Sequence, residues 1–224
     1  MMRILCFLLL SIATANLLEA QCNYFFLQKN KTVTMAMYDR KGNNDGKYVY
    51  SVSDVTKANG KTTASVKSEA FDKKGKSLGG GVGTMQCENG SLMIDMKVMM
   101  NPQQMEQFKN AKLQSKGAYM EYPSSLSAGQ QLSDANFSMD MVLESGMEAN
   151  MSIDITNRKV AAKEKITTPA GSWDAYKITY DAKTVITMGI GIPIKMQMTE
   201  WFVPDFGVVK SSSKWGSQEL ISIE

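Results

Sequence analysis

The chain has 224 residues, a length within the usual range of one all-β domain. Its 25 basic and 22 acidic residues give a net charge of +3 and are scattered along the sequence, which excludes the clustered, strongly basic surface of a nucleic-acid-binding protein. Histidine is absent, which excludes Ser-His and Cys-His nucleophile pairs and removes the commonest zinc ligand. A carboxylate pair could still hydrolyse glycosides, but no Asp or Glu stands out from the solvated ones. We therefore predict a non-enzymatic protein without a cofactor or a metal.

The first twenty residues have the pattern of a secretory signal peptide. A short positive start, Met-Met-Arg, is followed by the apolar run "ILCFLLLSIATANLL", with Leu18 and Ala20 at the positions that a signal peptidase recognises. We predict a signal peptide over residues 1–20 and a single mature domain over residues 21–224, located in the periplasm or secreted.

An uncleaved membrane anchor is the alternative to a signal peptide. A membrane span needs about 20 apolar residues, and Asn16 interrupts this shorter run. A lipoprotein is disfavoured because Gln21 precedes Cys22 where a small residue is expected. The mature chain is therefore predicted not to span a membrane.

Two cysteines, Cys22 and Cys87, remain after the signal peptide is removed. In an oxidising compartment an isolated pair usually forms one disulfide, which here would tie the N-terminus to a strand end. Two free thiols are the alternative.

Strand patterns dominate the mature chain. Apolar residues alternate with polar ones in five segments, as expected for strands with one buried face and one wet face. The apolar members are Val33, Met35 and Met37; Leu92, Ile94, Met96, Val98 and Met100; Phe137, Met139, Met141 and Leu143; Met151, Ile153 and Ile155; and Ile194, Met196 and Met198. Further strands are predicted over 47–56, 62–72, 82–88, 159–168, 172–181, 183–189, 207–214 and 218–223, with the glycines at 79–81 in a loop.

One short helix is predicted, over residues 101–112. Asn101 would be its N-cap and Pro102 its first residue, with Met105 and Phe108 on one side. Ten strands about 4.8 Å apart and about 17–20 Å long present roughly 900 Å² of apolar face, whereas such a helix covers roughly 180 Å². The sheet must therefore curve over itself, which predicts an all-β, mostly antiparallel half-barrel or open barrel of about ten strands or more.

The last hairpin is predicted from "TEWFVPDFGVVKSSS" at residues 199–213. Phe202 continues the apolar side of Met196 and Met198, and Pro204–Gly207 supplies the turn. Trp201 falls on the other side, so either a bulge turns it inward or it packs at an edge.

Sixteen of the 18 methionines remain after Met1 and Met2 are removed with the signal peptide. A copper site is disfavoured because Met93 and Met96 would point to opposite faces of a strand. Two interpretations stay open. The methionines fill a packed core, or they line a cavity that accepts varied apolar partners.

Four segments carry a resemblance: "CNYFFLQKNKTVTMAMYDRKG" (22–42), "YPSSLSAGQQLSDA" (122–135), "NRKVAAKEKITTPAGSWDAYKITYD" (157–181) and "EWFVPDFGVVKS" (200–211). In this order they resemble the TapB-like family of bacterial exported proteins, whose role is unassigned. The resemblance implies an exported all-β protein with a curled sheet, and it places Cys22 and Cys87 where that family has its paired cysteines. More distantly the chain is similar to the half-barrels of the lipoprotein carriers LolA and LppX, which hold acyl chains in their concave face.

The predicted function is the binding or carrying of an apolar ligand, such as an acyl chain, a lipid or a lipoprotein segment, in a concave cavity. Met105 and Phe108 would form a lid over it. The alternative is a structural or assembly component of the cell envelope with a packed core and a protein partner. The predicted ligand-binding residues are Met35, Met37, Met96, Met105, Phe108, Phe137, Met139, Met141, Ile153, Met196, Met198 and Phe202.

Overall fold

The computed structural model describes residues 22–100, 112–116, 119–142, 146–188 and 190–224. These residues contain thirteen strands, one four-residue α-helix and one 3₁₀ turn, Phe25–Leu27. The strands are β1 Thr32–Asp39, β2 Asn44–Ala58, β3 Lys61–Asp72, β4 Ser77–Glu88, β5 Ser91–Asp95, β6 Lys112–Lys116, β7 Tyr119–Tyr122, β8 Ala135–Val142, β9 Glu148–Thr168, β10 Gly171–Met188, β11 Ile190–Val203, β12 Gly207–Ser213 and β13 Gly216–Ile223; the helix is α1 Met96–Met99.

All thirteen strands form one antiparallel sheet in the order β6-β8-β9-β10-β11-β12-β13-β1-β2-β3-β4-β5-β7. Most neighbours in the sheet are also neighbours in the chain. The pairing of β13 with β1, in which Ile223 lies opposite Val33, joins the C-terminal strands to the N-terminal ones. The sheet curves into a nearly closed barrel, which confirms the predicted all-β class and the curved architecture.

The core lies on the inner face of this sheet. Strand β8 shows the period of two directly, since Phe137, Met139 and Met141 are at most 1% exposed while Asn136 and Asp140 face solvent. Because one face is buried and the other is wet, the alternating pattern of the sequence fixes which side chains enter the core.

The strands of the second half are longer than predicted. Strand β9 unites the predicted segments 151–156 and 159–168, and β10 unites 172–181 with the predicted segment 183–189 as far as Met188, since residue 189 lies outside the described residues. A bulge lies in β9 at Asn157, whose φ is 56°. A bulge adds one residue without ending the strand, so the buried positions change from Met151 and Ile155 before it to Arg158 and Val160 after it.

The predicted strand over residues 91–100 is wrong beyond Asp95. The Asp95 side chain accepts a hydrogen bond of 2.9 Å from the backbone N–H of Lys97 and starts α1 as its N-cap. Met96, Val98 and Met100 are nevertheless buried, as their alternation suggested.

Helix α1 packs closely on strand β4. A Cβ atom at Gly83 would lie 2.5 Å from Cγ2 of Val98, so only glycine permits this approach. The glycines at 79–81 also lie within β4, so the loop predicted there is wrong.

The C-terminal hairpin forms as predicted. Strand β11 ends at Val203, the backbone N–H of Phe206 donates to the carbonyl of Val203, and β12 begins at Gly207. Trp201 stays on the outer side, where its Nε1 donates to Oε1 of Glu164 at 2.6 Å.

Cys22 and Cys87 form a disulfide with a Cα–Cα distance of 5.6 Å, which confirms the predicted pairing. It joins the N-terminal segment to the end of β4. Within the described residues, no helix has the length and apolar character needed to cross a membrane. Residues 1–21, and with them the predicted signal peptide, lie outside the described residues, as do 101–111 of the predicted helix; Lys112 begins β6.

Candidate functional site

The inner face of strands β8 to β11 carries rows of apolar side chains that run across the sheet. In one row Met139 lies opposite Met151, Met151 opposite Ile186, and Ile186 opposite Ile192. Directly opposed residues of an antiparallel pair lie on the same face, so these side chains form one continuous apolar surface. One neighbouring row runs from Phe137 through Ile153 and the polar Thr184 to Ile194, and the next runs from Ala135 through Ile155 and Ala182 to Met196.

Burial falls along each row in the same direction. Met139 and Met151 are each 1% exposed, Ile186 is half-buried, and Ile192 is 70% exposed. The core therefore continues without a break into a surface that solvent reaches. We call this surface the open apolar face and define it by Ile153, Ile186, Ile192, Ile194, Met196 and Met198.

The predicted ligand-binding residues divide into three groups. Those buried in the core are Met35, Met96, Phe137, Met139, Met141 and Phe202. Those half-buried are Met37, Ile153, Met196 and Met198, of which the last three belong to the open apolar face. Met105 and Phe108 lie outside the described residues, so the predicted lid stays a prediction. Met35 and Met37 are on β1, apart from that face in the strand order.

A polar cluster within the core was missed from the sequence. Glu200 is 1% exposed and Arg158 is fully buried. The hydroxyl of Tyr122 donates to Oε1 of Glu200 at 2.9 Å, and that of Tyr180 lies 3.4 Å from Oε2. The sequence does hold a clue, because Glu200 occupies the inward position between Met198 and Phe202. Arg158 could not be placed without knowing the bulge at Asn157.

Burial controls the protonation of this cluster. Loss of solvation raises the pKa of Glu200 to about 7, although Arg158 and the two tyrosine hydroxyls oppose that rise. Burial, with the nearby carboxyl of Glu200, also raises the pKa values of Tyr122 and Tyr180 well above their usual value. The cluster can therefore hold a neutral carboxylic acid near pH 7.

Arg158 is held in place by backbone carbonyls. Its Nη1 donates to the carbonyls of Glu121 and Ser133, both at 2.9 Å, and its guanidinium lies 5.1 Å from the ring centre of Tyr122. The Tyr122 ring stacks on Phe202 at 4.4 Å. These contacts therefore join strands β7, β9 and β11 inside the core.

Two surface pockets lie away from the open apolar face. One, of about 330 Å³, lies on the outer side of the sheet, where Asp134, Asp154 and Lys183 contribute to its lining. The other, of about 270 Å³, includes Phe202 and Tyr24. Within the described part of the chain, no group of three or more His, Cys, Asp and Glu side chains could hold a metal ion.

The fold and this face define a class: nearly closed antiparallel barrels formed by a single sheet, with an apolar interior that opens to solvent on one side. The chain belongs to the DUF3108-like family, whose model matches residues 28–224. No curated protein matches the chain significantly.

Two crystal structures share the fold. One is a candidate lipoprotein from Parabacteroides distasonis, with 20% identity and a TM-score of 0.73 over 90% of this chain and 99% of that one. The other is a candidate exported protein with a YmcC-like fold from Bacteroides fragilis, with 20% identity and a TM-score of 0.68 over 88% of this chain and 96% of that one. The comparisons do not confirm the resemblance to the TapB-like family or to the LolA and LppX carriers.

Proposed function

We propose that this protein is exported and binds an apolar ligand of the acyl-chain class on the open apolar face, without catalysing a reaction on it. The observation that carries the proposal is the continuous row from Met139, through Met151 and Ile186, to Ile192, along which burial falls from complete to slight. A packed core alone does not account for an inner apolar face that continues into solvent.

The chemistry of the face suits a flexible chain. Its members are unbranched methionines and aliphatic isoleucines, and methionine adapts its shape to varied apolar partners. Export is supported by the signal-peptide pattern of residues 1–20, by the disulfide between Cys22 and Cys87, and by the exported or lipoprotein character given to the two structural neighbours.

Ligand binding is tested by titrating delipidated protein with a fluorescent fatty acid. We expect a Kd on the order of 10 micromolar or tighter. Native mass spectrometry of protein purified from its own compartment should show a retained lipid. Failure to bind the probe at tens of micromolar, together with a lipid-free mass, would leave the alternative of an envelope component with a protein partner.

A matched pair of variants locates the ligand on the inner face. Ile186 and Val185 are neighbours on β10, both half-buried, and they point to opposite faces of the sheet. Ile186→Thr removes apolar contact from the open apolar face and should weaken binding roughly five- to tenfold. Val185→Thr makes a similar change outside and should leave the affinity unchanged; equal losses would place the ligand elsewhere.

A further inference from the structure

Five turns lie together at one end of the barrel, because neighbouring strands are antiparallel. They join β1 to β2, β3 to β4, β8 to β9, β10 to β11, and β12 to β13. We call this end the hairpin rim. The opposite end carries the turns from β2 to β3, β4 to β5, β9 to β10 and β11 to β12, together with the 3₁₀ turn.

Exposed large apolar side chains are concentrated at the hairpin rim. The described residues include nine of them, and seven lie in the turns of this rim or in the strand segments that lead to them, whereas Val82 lies five residues into β4 and Tyr119 begins β7. The seven are Val142, Met147, Met188, Ile190, Ile192, Ile194 and Trp215. None of the nine lies in a turn of the opposite end. An apolar patch confined to one end of a molecule marks an interaction surface.

The β10–β11 hairpin carries a distinct charge pattern within this rim. The segment 183–195 reads "KTVITMGIGIPIK", with a lysine at each end and no charged residue between them. Lys183 and Lys195 lie directly opposite each other in the sheet, and both are exposed. Lys183 also lies opposite Asp154 of β9, so the three charged side chains together carry a net charge of +1, which favours a negatively charged partner.

We propose that the hairpin rim docks on the surface of a lipid bilayer that contains anionic phospholipids. Met188 and Ile190, at the tip of the hairpin, enter the boundary between headgroups and acyl chains, and Lys183 and Lys195 contact the phosphates. Trp215, in the neighbouring β12–β13 turn, is 56% exposed with Lys214 beside its ring, a combination suited to the polar–apolar interface.

The dimensions of the hairpin agree with this placement. Five residue steps from Lys183 to Met188 span about 17 Å at about 3.3 Å per residue. A tip buried about 5–10 Å beyond the headgroup boundary leaves the lysine pair about 7–12 Å on the water side of it. The two headgroup layers together occupy about 10–15 Å, or about 5–7.5 Å each, so the lysine pair lies at the water-facing edge of one layer, where long lysine side chains can extend toward the phosphates.

The edge of β11 limits the depth of docking. Pairing with β12 begins at Met198, so the described residues from Ile190 to Gln197 have no partner strand on the side away from β10. Unpaired backbone groups are not tolerated in hydrocarbon, and they require water or headgroups. The hairpin therefore lies in the interface and does not enter the centre of the bilayer.

This inference goes beyond the proposed ligand binding: Ile192 and Ile194 belong to both surfaces, whereas Met188 and Ile190, at the tip of the hairpin, lie next to the open apolar face and are not part of it. A variant at the tip tests the membrane contact alone. The measurement is co-sedimentation of the folded protein with vesicles of phosphatidylethanolamine and phosphatidylglycerol, compared with co-sedimentation with vesicles of phosphatidylcholine. We expect binding to the anionic vesicles that weakens as salt is added.

The double variant Met188→Ser and Ile190→Ser should bind anionic vesicles at least about tenfold more weakly, while it keeps its affinity for the fluorescent fatty acid. Val82→Ser is the matched control, since Val82 is 63% exposed and lies away from the rim.

The double variant Lys183→Gln and Lys195→Gln should bind anionic vesicles on the order of tenfold more weakly, with little change in its binding to phosphatidylcholine vesicles. Lys57→Gln with Lys165→Gln makes the same charge change near the opposite end and should have little effect.

Two results would overturn the proposal. One is the absence of vesicle binding by the wild-type protein; the other is unchanged binding by the Met188 and Ile190 double variant. A dimer in sedimentation velocity that this double variant abolishes, with no vesicle binding, would assign the rim to a second copy of the chain instead.

Discussion

At the scale of single residues, the most unusual feature is a carboxyl group, that of Glu200, buried in an otherwise apolar core. Glu200 follows the alternation of β11 into the interior, where two tyrosine hydroxyls lie beside it and the charge of the Arg158 guanidinium acts on it without a hydrogen bond. Desolvation disfavours its charged form more than these partners favour it, so the folded state prefers the neutral acid. The stability of the fold must therefore depend on pH through this residue.

We expect the Glu200 contribution to stability to decline between about pH 4.5 and pH 7. The pKa of Glu200 is 4.5 when unfolded and about 7 when folded, so between these values the folded state holds the extra proton. Its stabilising effect is complete below the lower pKa and is lost as pH rises through the higher one. The loss is on the order of 3 kcal/mol, because each tenfold difference in proton affinity between the two states corresponds to about 1.4 kcal/mol.

Urea unfolding from pH 4.5 to 8 measures this contribution. Glu200→Gln keeps a neutral hydrogen-bonding side chain and should show a flatter profile, with greater stability than wild type at pH 8. Asp39 and Asp72 do not confuse this measurement. Hydrogen bonds within their turns lower their pKa values, so their effect on stability appears only in more acidic solution. A wild-type profile parallel to that of Glu200→Gln would show that Glu200 stays ionised.

At the scale of elements, the contact between β4 and α1 decides how the chain leaves the sheet after β5. Asp95 ends the strand by capping the helix, and Gly83 lets the helix approach the sheet. Met96, Val98 and Met100 can then fill the interior from a helical segment as they would from a strand. A sequence pattern of period two did not distinguish these two arrangements.

Gly83→Ala should destabilise the protein by about 1–3 kcal/mol. The new Cβ would lie 2.5 Å from Cγ2 and 3.3 Å from the backbone nitrogen of Val98, and the helix would have to move. Gly81→Ala, two residues earlier on the same strand, is the matched control, because its Cβ would meet nothing closer than Oγ of Ser68 at 3.9 Å. Thermal unfolding of the two variants should separate them; equal Tm values would contradict the close approach of α1.

At the scale of the whole molecule, the two ends of the barrel differ. The N-terminal segment covers the end opposite the hairpin rim: the backbone N–H of Phe25 donates to the carbonyl of Asp205, and the hydroxyl of Tyr24 donates to the carbonyl of Gly90. Phe26 packs on Phe206. The disulfide fastens this cover to β4, while the other end leaves its apolar side chains exposed.

Reduction of the disulfide should destabilise the protein by on the order of 4 kcal/mol, because the 65-residue loop then regains its freedom in the unfolded chain. Urea unfolding with and without reductant measures this difference. The double variant Cys22→Ala and Cys87→Ala should match the reduced wild type to within the small packing change at the buried Cys87, and reductant should not affect it. If reduction left the unfolding midpoint unchanged, the N-terminal cover would be held by its apolar contacts alone.

Much of the site could be predicted because the period of two is a local property. Phe137, Met139 and Met141 were placed on one face from the sequence, and the structure buries all three. Ile194, Met196 and Met198 were also placed on one face, but the sequence could not show that Ile194 is 43% exposed. Exposure depends on which strands lie beside β11, and β12 reaches only as far as Met198.

The sequence by itself determined the strand class, the one-sided apolar pattern, the cysteine pair and the excess of sheet over helix, since each follows from residue types and their spacing along the chain. The tertiary structure alone decided the inward turn of Arg158 beyond the bulge at Asn157, the raised pKa of Glu200, and the concentration of exposed apolar residues at one rim. These features arise from register, burial and the meeting of strands that are far apart in the chain, and no local pattern encodes them.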